Sequence, residues 1–449
     1  MYSTPTPKPE TSWKSWGGVQ TEEAAEQETR RISEELRALA ATVDFPLEPL
    51  PVRKVKAVEE VDEIHAGDHD SVIVYPATGS GSLLKACLAG KGTPLIFVRH
   101  RSGPVYYWYE ALSIQYLNPD PGVADLSEET RRASVEDVVV DDPGELAWRL
   151  RALYAVRNLL GEKVVALGGA WGKYAPKAPE IARERFGIEI LDVSYEEIEP
   201  RLKSMLEDKE LLARAEEWTE RYLALPNTSL ETKRGFVVNA FVLYVLFKEL
   251  MKERECEAFT IKSCMGTIIP MSQTTACLTL SLLNDEGLLA FCESDFVVIP
   301  AGILLRHLTG RPVFLHNSTF PHQKMVTCAH CTSPRRLDGT TYEPVRVVTH
   351  YESDFGAAPK VEMPKGTVVT FIDPEYATGR WVGFRGTIES NPFYEICRSQ
   401  QDVEVEGNWK KLLREVRDSH WLMVYGDCLD QAGYAARKLG LTWETLPEV

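Results

Sequence analysis

The chain has 449 residues, and its balance of 44% hydrophobic and 26% charged residues excludes a disordered or membrane-embedded protein. Its formal net charge of −16 argues against a nucleic-acid partner, because proteins that bind phosphate backbones present clustered lysine and arginine. Nine dispersed cysteines and a polar N-terminus without a signal peptide predict reduced thiols and a cytoplasmic location.

The first part of the chain predicts a flexible tail over 1–20 and an N-terminal α/β domain over 21–155. An amphipathic helix is expected over 21–41. Apolar strands are expected over 71–75 and 93–98, with a helix between them, and this alternation is typical of a parallel sheet.

Two features of this domain leave functional alternatives open. The Gly/Ser turn at 79–82 could bind an anion, but the chain lacks a complete phosphate-binding or dinucleotide motif, so we favour a tight turn and expect no nucleotide cofactor. The aromatic run at 106–109 could line a sugar subsite or fill a subunit interface.

A second unit of the same kind begins with a strand over 163–167 and predicts a central α/β domain over 156–328. Residues 196–255 are expected to form two helices, and the second is apolar nearly all round. Its apolar run is about half the length that crosses a bilayer, so we predict a buried helix and no membrane partner. The fold class is therefore α/β, with two Rossmann-like domains followed by a β-rich domain over 329–449.

The densest group of polar residues follows apolar strands within 275–319. A strand over 288–292 delivers Glu293 and Asp295 to its carboxyl end, and the next strand delivers His316 and Asn317. In open α/β sheets ligands bind at such strand ends, so the two ends are expected to converge. Alternatively, the acidic side chains cap the helix that begins near residue 298.

Several motifs around these strands resemble the L-fucose isomerase family and, more distantly, L-arabinose isomerase. They are Asn284-Asp285-Glu286-Gly287, Cys292-Glu293-x-Asp295, Leu308-Thr309-Gly310-Arg311-Pro312, Ala329-His330-Cys331-Thr332 and Ser419-His420-Trp421. The resemblance implies a C-terminal β-barrel-like domain and a divalent metal, Mn²⁺, held by Glu293, an acid on the following strand and His420. It also implies a homo-oligomer, a trimer or hexamer, with the site near a subunit interface.

The sequence departs from the family pattern at the second acid, which falls at His316-Asn317. An enediol mechanism needs a group that moves a proton between C2 and C1, and Asn317 cannot act as that base. His316 could serve as base or metal ligand, with Asn317 beside it, or it could be a solvent-facing strand-end residue. Asp295 is the other candidate for the acid–base work.

Three further residues are candidates for substrate binding: His330, Gln273 and Trp381. His330 lies in Cys-Ala-His-Cys, which also suggests zinc or redox chemistry, although two buried thiols flanking a site histidine are the favoured interpretation. Cys264, Met265 and Arg385 could complete the walls of a sugar site.

The expected function is a metal-dependent sugar isomerase that interconverts an aldose and a ketose through an enediol. Loss of the second acid keeps two alternatives open. One is a metal-dependent carbohydrate hydrolase or lyase on the same fold, and the other is a non-catalytic sugar-binding protein.

Overall fold

The computed structural model of the protein describes residues 1–11, 13–106, 117, 133–415, 417 and 419–446. The chain divides into two compact units, Met1–Leu153 and Tyr154–Val449. Within the described residues, no helix combines the length and apolar character needed to cross a membrane. The predicted limits of three domains stay predictions.

The first unit contains a parallel sheet in the order β1-β2-β3. Its elements are α1 (Glu22–Ala40), α2 (Asp62–His65), β1 (Ser71–Val74), α3 (Gly81–Leu88), β2 (Thr93–Val98), β3 (Val138–Val140) and the start of α4 (Pro143–Leu159). The predicted amphipathic helix is confirmed, and Thr21 caps it by accepting the Ala24 N–H at 3.1 Å. Of the aromatic run, residues 107–109 lie outside the described residues, and Tyr106 is buried with its hydroxyl on Glu28.

The second unit begins with another α/β region. Its elements are β4 (Lys163–Leu167), α5 (Ala178–Phe186), β5 (Glu189–Val193), α6 (Tyr195–Glu207), α7 (Lys209–Leu223), β6 (Thr228–Leu230), α8 (Arg234–Glu253), β7 (Ala258–Ile261), α9 (Ile268–Ser272), α10 (Cys277–Asp285), β8 (Leu289–Cys292) and α11 (Ile299–Thr309). Four of the strands form a parallel sheet in the order β5-β4-β7-β8. Strands β4 and β7 are central and apolar, as expected of a parallel sheet covered on both faces.

The helical region at 196–255 corrects one prediction, because it contains α6, α7 and α8 rather than two helices. Asp208 separates the first two by accepting the N–H groups of Glu210 and Leu211, which begins a new helix. The predicted buried helix is confirmed, since the inner face of α8 is fully covered.

A closed β-barrel occupies the C-terminal part of the second unit. The remaining elements are β9 (Phe314–Ser318), β10 (Met325–His330), β11 (Val345–His350), β12 (Phe355–Val361), β13 (Val368–Glu375), β14 (Arg380–Ser390), β15 (Ser399–Val405), α12 (Trp409–Glu415), β16 (His420–Tyr425), α13 (Leu429–Lys438) and β17 (Thr442–Thr445). Six antiparallel strands run β13-β16-β9-β10-β15-β14, and the β13–β14 pairing closes the barrel. Strand β17 adds to β14, and β12-β11-β6 form a separate sheet.

The predicted adjacency of the two polar strand ends is wrong. Strand β9 is not in the parallel sheet beside β8, because it pairs antiparallel with β10 and β16 in the barrel. A helix followed by an apolar strand looks the same in sequence whichever sheet receives the strand.

Helix α11 packs between the parallel sheet and the barrel. A Cβ on Gly302 would lie 2.4 Å from the Phe291 ring on β8 and 3.6 Å from Leu422 on β16. Only glycine allows this close approach to Phe291. The helix therefore brings the carboxyl end of β8 near the start of β16.

Candidate metal centre

Glu293 leaves the end of β8 on a left-handed turn. Both Glu293 (φ 63°) and Ser294 (φ 50°) adopt positive φ, which costs roughly 1–2 kcal/mol per residue. The turn is held because the Ser294 N–H donates to Thr260 Oγ1 at 3.1 Å, while the Ser294 carbonyl accepts from Trp171 N–H at 3.2 Å. It leaves the Glu293 side chain one-third exposed while Ser294 and Asp295 turn inwards.

Asp295 and His420 form a buried pair that joins the sheet to the barrel. His420 Nδ1 lies 2.6 Å from Asp295 Oδ2, and both side chains are fully buried. The other oxygen, Oδ1, accepts the backbone N–H groups of Lys173 and Val297 at 3.1 and 3.2 Å. A carboxylate held by two backbone donors places the imidazole proton on Nδ1 and leaves a lone pair on Nε2.

Two imidazole nitrogens face one carboxylate oxygen. His420 Nε2 and His330 Nε2 each lie 3.8 Å from Glu293 Oε1, and the two rings are 5.7 Å apart. The second nitrogen of His330, Nδ1, contacts Thr332 Oγ1 at 2.9 Å. Buried His420 Nε2 has no hydrogen-bond partner within the described part of the chain. This nitrogen is a hydrogen-bond acceptor without a donor, and it faces the same Glu293 oxygen as His330 Nε2.

The spacing and chemistry of these three groups fit a divalent cation. Their ligand atoms all lie within 4.8 Å of one another. Ligands about 2.1 Å from an ion are separated by about 3–4 Å, so a small closing movement would complete three bonds. Two imidazoles and one carboxylate suit first-row transition metals. Glu293, His330 and His420 could therefore hold a metal, with Asp295 orienting His420.

Lys173 is a residue of the candidate site that the sequence analysis did not identify. Its Nζ lies 2.9 Å from Glu293 Oε2, so each Glu293 oxygen has a separate set of partners. Burial acts to raise the pKa of Glu293, but His330, His420 and Lys173 outweigh it and hold this pKa well below its usual range. These neighbours favour the ionised form of Glu293, which is the form that can bind a cation. The sequence feature that could have pointed to Lys173 is Gly168-Gly169, which follows β4 and begins a loop at the carboxyl edge of a parallel sheet.

His316 and Asn317 lie on the wall of the barrel rather than at a strand end in the parallel sheet. Asn317 pairs with His420 and His316 with Trp421 across β9 and β16, so His316 and His420 point to opposite faces. The His316 ring contacts Phe371 and Trp421, which come from different barrel strands and place it in the interior. Burial lowers the pKa of His316 to about 3. His316 is therefore not among the three grouped ligand atoms, and it is not solvent-facing.

Asn317 and Asp295 support the site in different ways from those expected. The Asn317 amide donates to the Ser419 carbonyl at 3.1 Å, which fixes the backbone before His420. Asp295 is not simply a helix cap, since one oxygen accepts from Val297 and the other is bound to His420. The Asp295 side chain is fully buried, with both oxygens hydrogen-bonded.

The remaining candidates are dispersed. Gln273 is exposed after α9 and donates to the Pro270 carbonyl at 2.9 Å. Trp381 is buried on β14 with its ring 6.2 Å from Phe186, and Arg385 pairs with Glu406 and Asp427. Neither Gln273 nor Trp381 has a described contact with Glu293, His330 or His420.

The cysteines near His330 do not form part of the metal group. Cys328 and Cys331 are buried free thiols, and burial raises the pKa of Cys328 well above its ordinary value. Among the described residues, the one group of three or more His, Cys, Asp and Glu side chains close enough to hold an ion contains no cysteine. No protein-family model matches the chain, and no curated protein matches it significantly.

Proposed function

We propose that the protein is a metal-dependent sugar isomerase that interconverts an aldose and a ketose. The observation that carries this proposal is the convergence of Glu293, His330 and His420 donor atoms within 4.8 Å, with His420 oriented by buried Asp295. A bound divalent cation, which we propose to be Mn²⁺, supplies Lewis-acid polarisation of the sugar oxygens.

In this proposal the two oxygens of Glu293 have different tasks. Oε1, which faces the imidazoles, holds the cation, and Oε2, which faces Lys173, moves the proton between C2 and C1. The ammonium of Lys173 donates a proton to O1 and the resulting amine takes one from O2, so Lys173 moves the hydroxyl proton between the two oxygens and stabilises the charge that develops on them. We assign the base to Glu293 rather than to Asp295 because the Glu293 side chain is one-third exposed, whereas Asp295 is fully buried.

The wider assignment is also a proposal. We propose a divergent member of the L-fucose isomerase family that is cytoplasmic and homo-oligomeric, with the two parallel sheets as its Rossmann-like domains. The six-stranded barrel after these sheets supports it, because the family resemblance implies a barrel-like C-terminal domain. The fold alone does not select a reaction, so the proposal depends on the site.

The test begins with metal-free protein that is reloaded separately with Mn²⁺, Zn²⁺, Co²⁺ or Fe²⁺ and assayed for bound metal. Each form is incubated with a panel of aldoses in D₂O, and ketose formation and C–H exchange are followed by NMR. We expect one stoichiometric metal that supports both signals. Glu293→Gln and His420→Ala should lose metal and activity, whereas His322→Ala, on an exposed loop, should retain both.

Metal-loaded protein that produces neither ketose nor exchange across the panel would refute the isomerase. A second candidate is then a metal-dependent hydrolase or lyase acting on a carbohydrate derivative. Its supporting observation is that Glu293 supplies the single carboxylate in the described metal group. Cleavage of a glycoside or modified sugar by the metal-loaded form would establish it, and sugar binding without metal would favour a non-catalytic protein.

A further inference from the structure

Lys262 lies directly beside the candidate metal centre, at the carboxyl edge of the parallel sheet. Ile261 on β7 is aligned with Cys292 on β8, so Lys262 and Glu293 are the next residues of two neighbouring strands. Such strands are about 5 Å apart. Ligands of open α/β sheets bind along this edge, so Lys262 and Glu293 lie side by side where a ligand would be expected.

The backbone of Lys262 is fixed on both sides. Its N–H donates to the Leu167 carbonyl at 2.9 Å, and its carbonyl accepts from the Tyr195 hydroxyl. Ser263 then takes a left-handed conformation, with φ 60°, that ends the strand. A Cβ on Gly168 would lie 2.6 Å from the Tyr195 ring and 3.1 Å from the Lys262 carbonyl oxygen. Glycine at 168 therefore permits the contacts that hold Lys262 in place.

The side chain of Lys262 lies over an aromatic ring and lacks an acidic partner within the described part of the chain. Its Nζ is 5.6 Å from the centre of the Trp171 ring. Asp192, the carboxylate that touches the same loop, accepts the Ala170 N–H at 3.1 Å and makes no ion pair with Lys262. Because the Lys262 ammonium is not neutralised by a described carboxylate, its charge is available to an anionic ligand at the carboxyl edge of the sheet.

Trp171 connects this ammonium to the metal group. Its N–H donates to the Ser294 carbonyl and its own carbonyl accepts from Phe296, both within 3.2 Å, so it brackets Asp295. Two residues further on, Lys173 contacts Glu293. The loop after β4 therefore contributes both Trp171 and Lys173 to this edge of the sheet. The Lys262 ammonium lies over the Trp171 ring, and the Lys173 ammonium contacts Glu293.

We propose that Lys262, supported by Trp171, binds an oxyanion carried by the substrate. This rests on the proposed function and deepens it, since the substrate would be an acidic sugar rather than a neutral one. A terminal phosphate, sulfonate or carboxylate has the required chemistry, because each offers acceptor oxygens for a charge-assisted hydrogen bond. The metal group takes the carbonyl end of the sugar, and Lys262 takes its acidic end.

The experiment measures binding without turnover. Dissociation constants of the metal-loaded full chain are determined by calorimetry for several sugars reduced at C1, which cannot isomerise, derived in turn from the neutral sugar, its terminal phosphate ester and its uronate. Three variants are compared: Lys262→Met removes the charge, Lys262→Arg retains it, and Lys410→Met is the matched control. Lys410 also lies over a tryptophan ring, Trp409 at 5.9 Å, but on α12 outside the parallel sheet.

We expect the wild type to bind at least one class of acidic sugar about tenfold or more tightly than its neutral parent. Lys262→Met should abolish that preference, Lys262→Arg should restore most of it, and Lys410→Met should keep it. Whether the phosphate ester or the uronate is preferred identifies the source of the oxyanion. Inorganic phosphate is titrated in parallel as a probe of the anion alone.

Equal binding of acidic and neutral sugars by the wild type would overturn the proposal. So would a preference that Lys262→Met leaves intact. Because binding is measured separately from catalysis, the two proposals fail separately. Lys262-dependent binding of acidic sugars without isomerisation refutes only the isomerase, and isomerisation of neutral sugars without such binding refutes only the oxyanion site.

Discussion

Asp295→Asn tests the orientation of His420 with little change in shape. The asparagine carbonyl can still accept the N–H groups of Lys173 and Val297, so the turn after Glu293 keeps its backbone hydrogen bonds. The amide nitrogen then replaces Oδ2, which lies 2.6 Å from His420 Nδ1. Because an amide donates where the carboxylate accepted, His420 must carry its proton on Nε2.

This tautomer places a proton on the nitrogen that faces Glu293, where a metal requires a lone pair. Loss of an outer carboxylate of this kind typically weakens metal binding 10- to 100-fold, or about 1.4–2.7 kcal/mol. We therefore expect the dissociation constant for Mn²⁺ to rise by about that factor. The measurement is competition with a chelator of known affinity, at constant pH, with metal content checked on the recovered protein.

The control is Asp285→Asn, which makes the same substitution at another buried aspartate. Asp285 accepts the N–H groups of Arg335 and Arg336 at 2.7 Å, outside the metal group. It should leave the Mn²⁺ affinity unchanged. Wild-type affinity in Asp295→Asn, with the fold intact by circular dichroism, would contradict the argument that Asp295 sets the tautomer of His420.

Two further predictions concern stability. His316 has a pKa of about 3 when folded against an ordinary value of 6.5, so below about pH 6.5 the unfolded chain binds a proton that the folded chain does not. As the pH falls from about 7 to about 5, the unfolding free energy of His316→Leu should therefore rise by about 2 kcal/mol relative to that of the wild type. Urea denaturation at each pH measures this difference. Parallel plots of unfolding free energy against pH for the two proteins would contradict the prediction. Gly168→Ala should cost about 1–3 kcal/mol more than Gly161→Ala, because both glycines have φ near +80° but only Gly168 has neighbours that a Cβ would strike. Equal unfolding free energies for the two variants would refute the packing argument.

The local structure around Glu293 was predictable because its signals are local. Apolar runs bounded by polar residues predicted the strand at 288–292 and the helix that begins near residue 298, and the structure has β8 at Leu289–Cys292 and α11 at Ile299–Thr309. Strand β9 continues to Ser318, so His316 and Asn317 lie within the strand rather than beyond its end. The convergence of Glu293 and His420 could not come from periodicity, since 127 positions separate them in the sequence. It was expected from the family motifs alone, and their role as ligands stays a proposal.

The error over His316 has a simple physical origin. Side chains alternate faces along a strand, so a change of one residue moves a group from one side of the barrel wall to the other. The sequence places His316 and Asn317 next to each other, but the pairing with β16 decides which of them lies opposite His420. That register is a long-range property, and no local pattern around β9 encodes it.

Lys173 and the pairing of Asp295 with His420 were missed for a related reason. Each role depends on contacts between segments far apart in the chain, including 122 positions between the Lys173 N–H and Asp295 Oδ1. The loop after β4 was recognised as part of a βαβ unit, but its lysine carried no motif. Lys262 directly follows β7 and Lys173 lies in the loop after β4, so both belong to the carboxyl edge of the parallel sheet, where ligands bind.

The hydrogen bond between Asp295 and His420 joins residues 125 positions apart, one from the turn after β8 and one from the first position of β16. The other five strands of the barrel all precede β16 in the chain. His420 therefore joins Glu293 and His330 only when β16 has paired. Closing so long a loop is slow and entropically costly, and it comes after local structure has formed. The three donor atoms therefore come together only in the closed barrel, and retention of the proposed ion in denaturant would report how firmly the barrel is closed around β16.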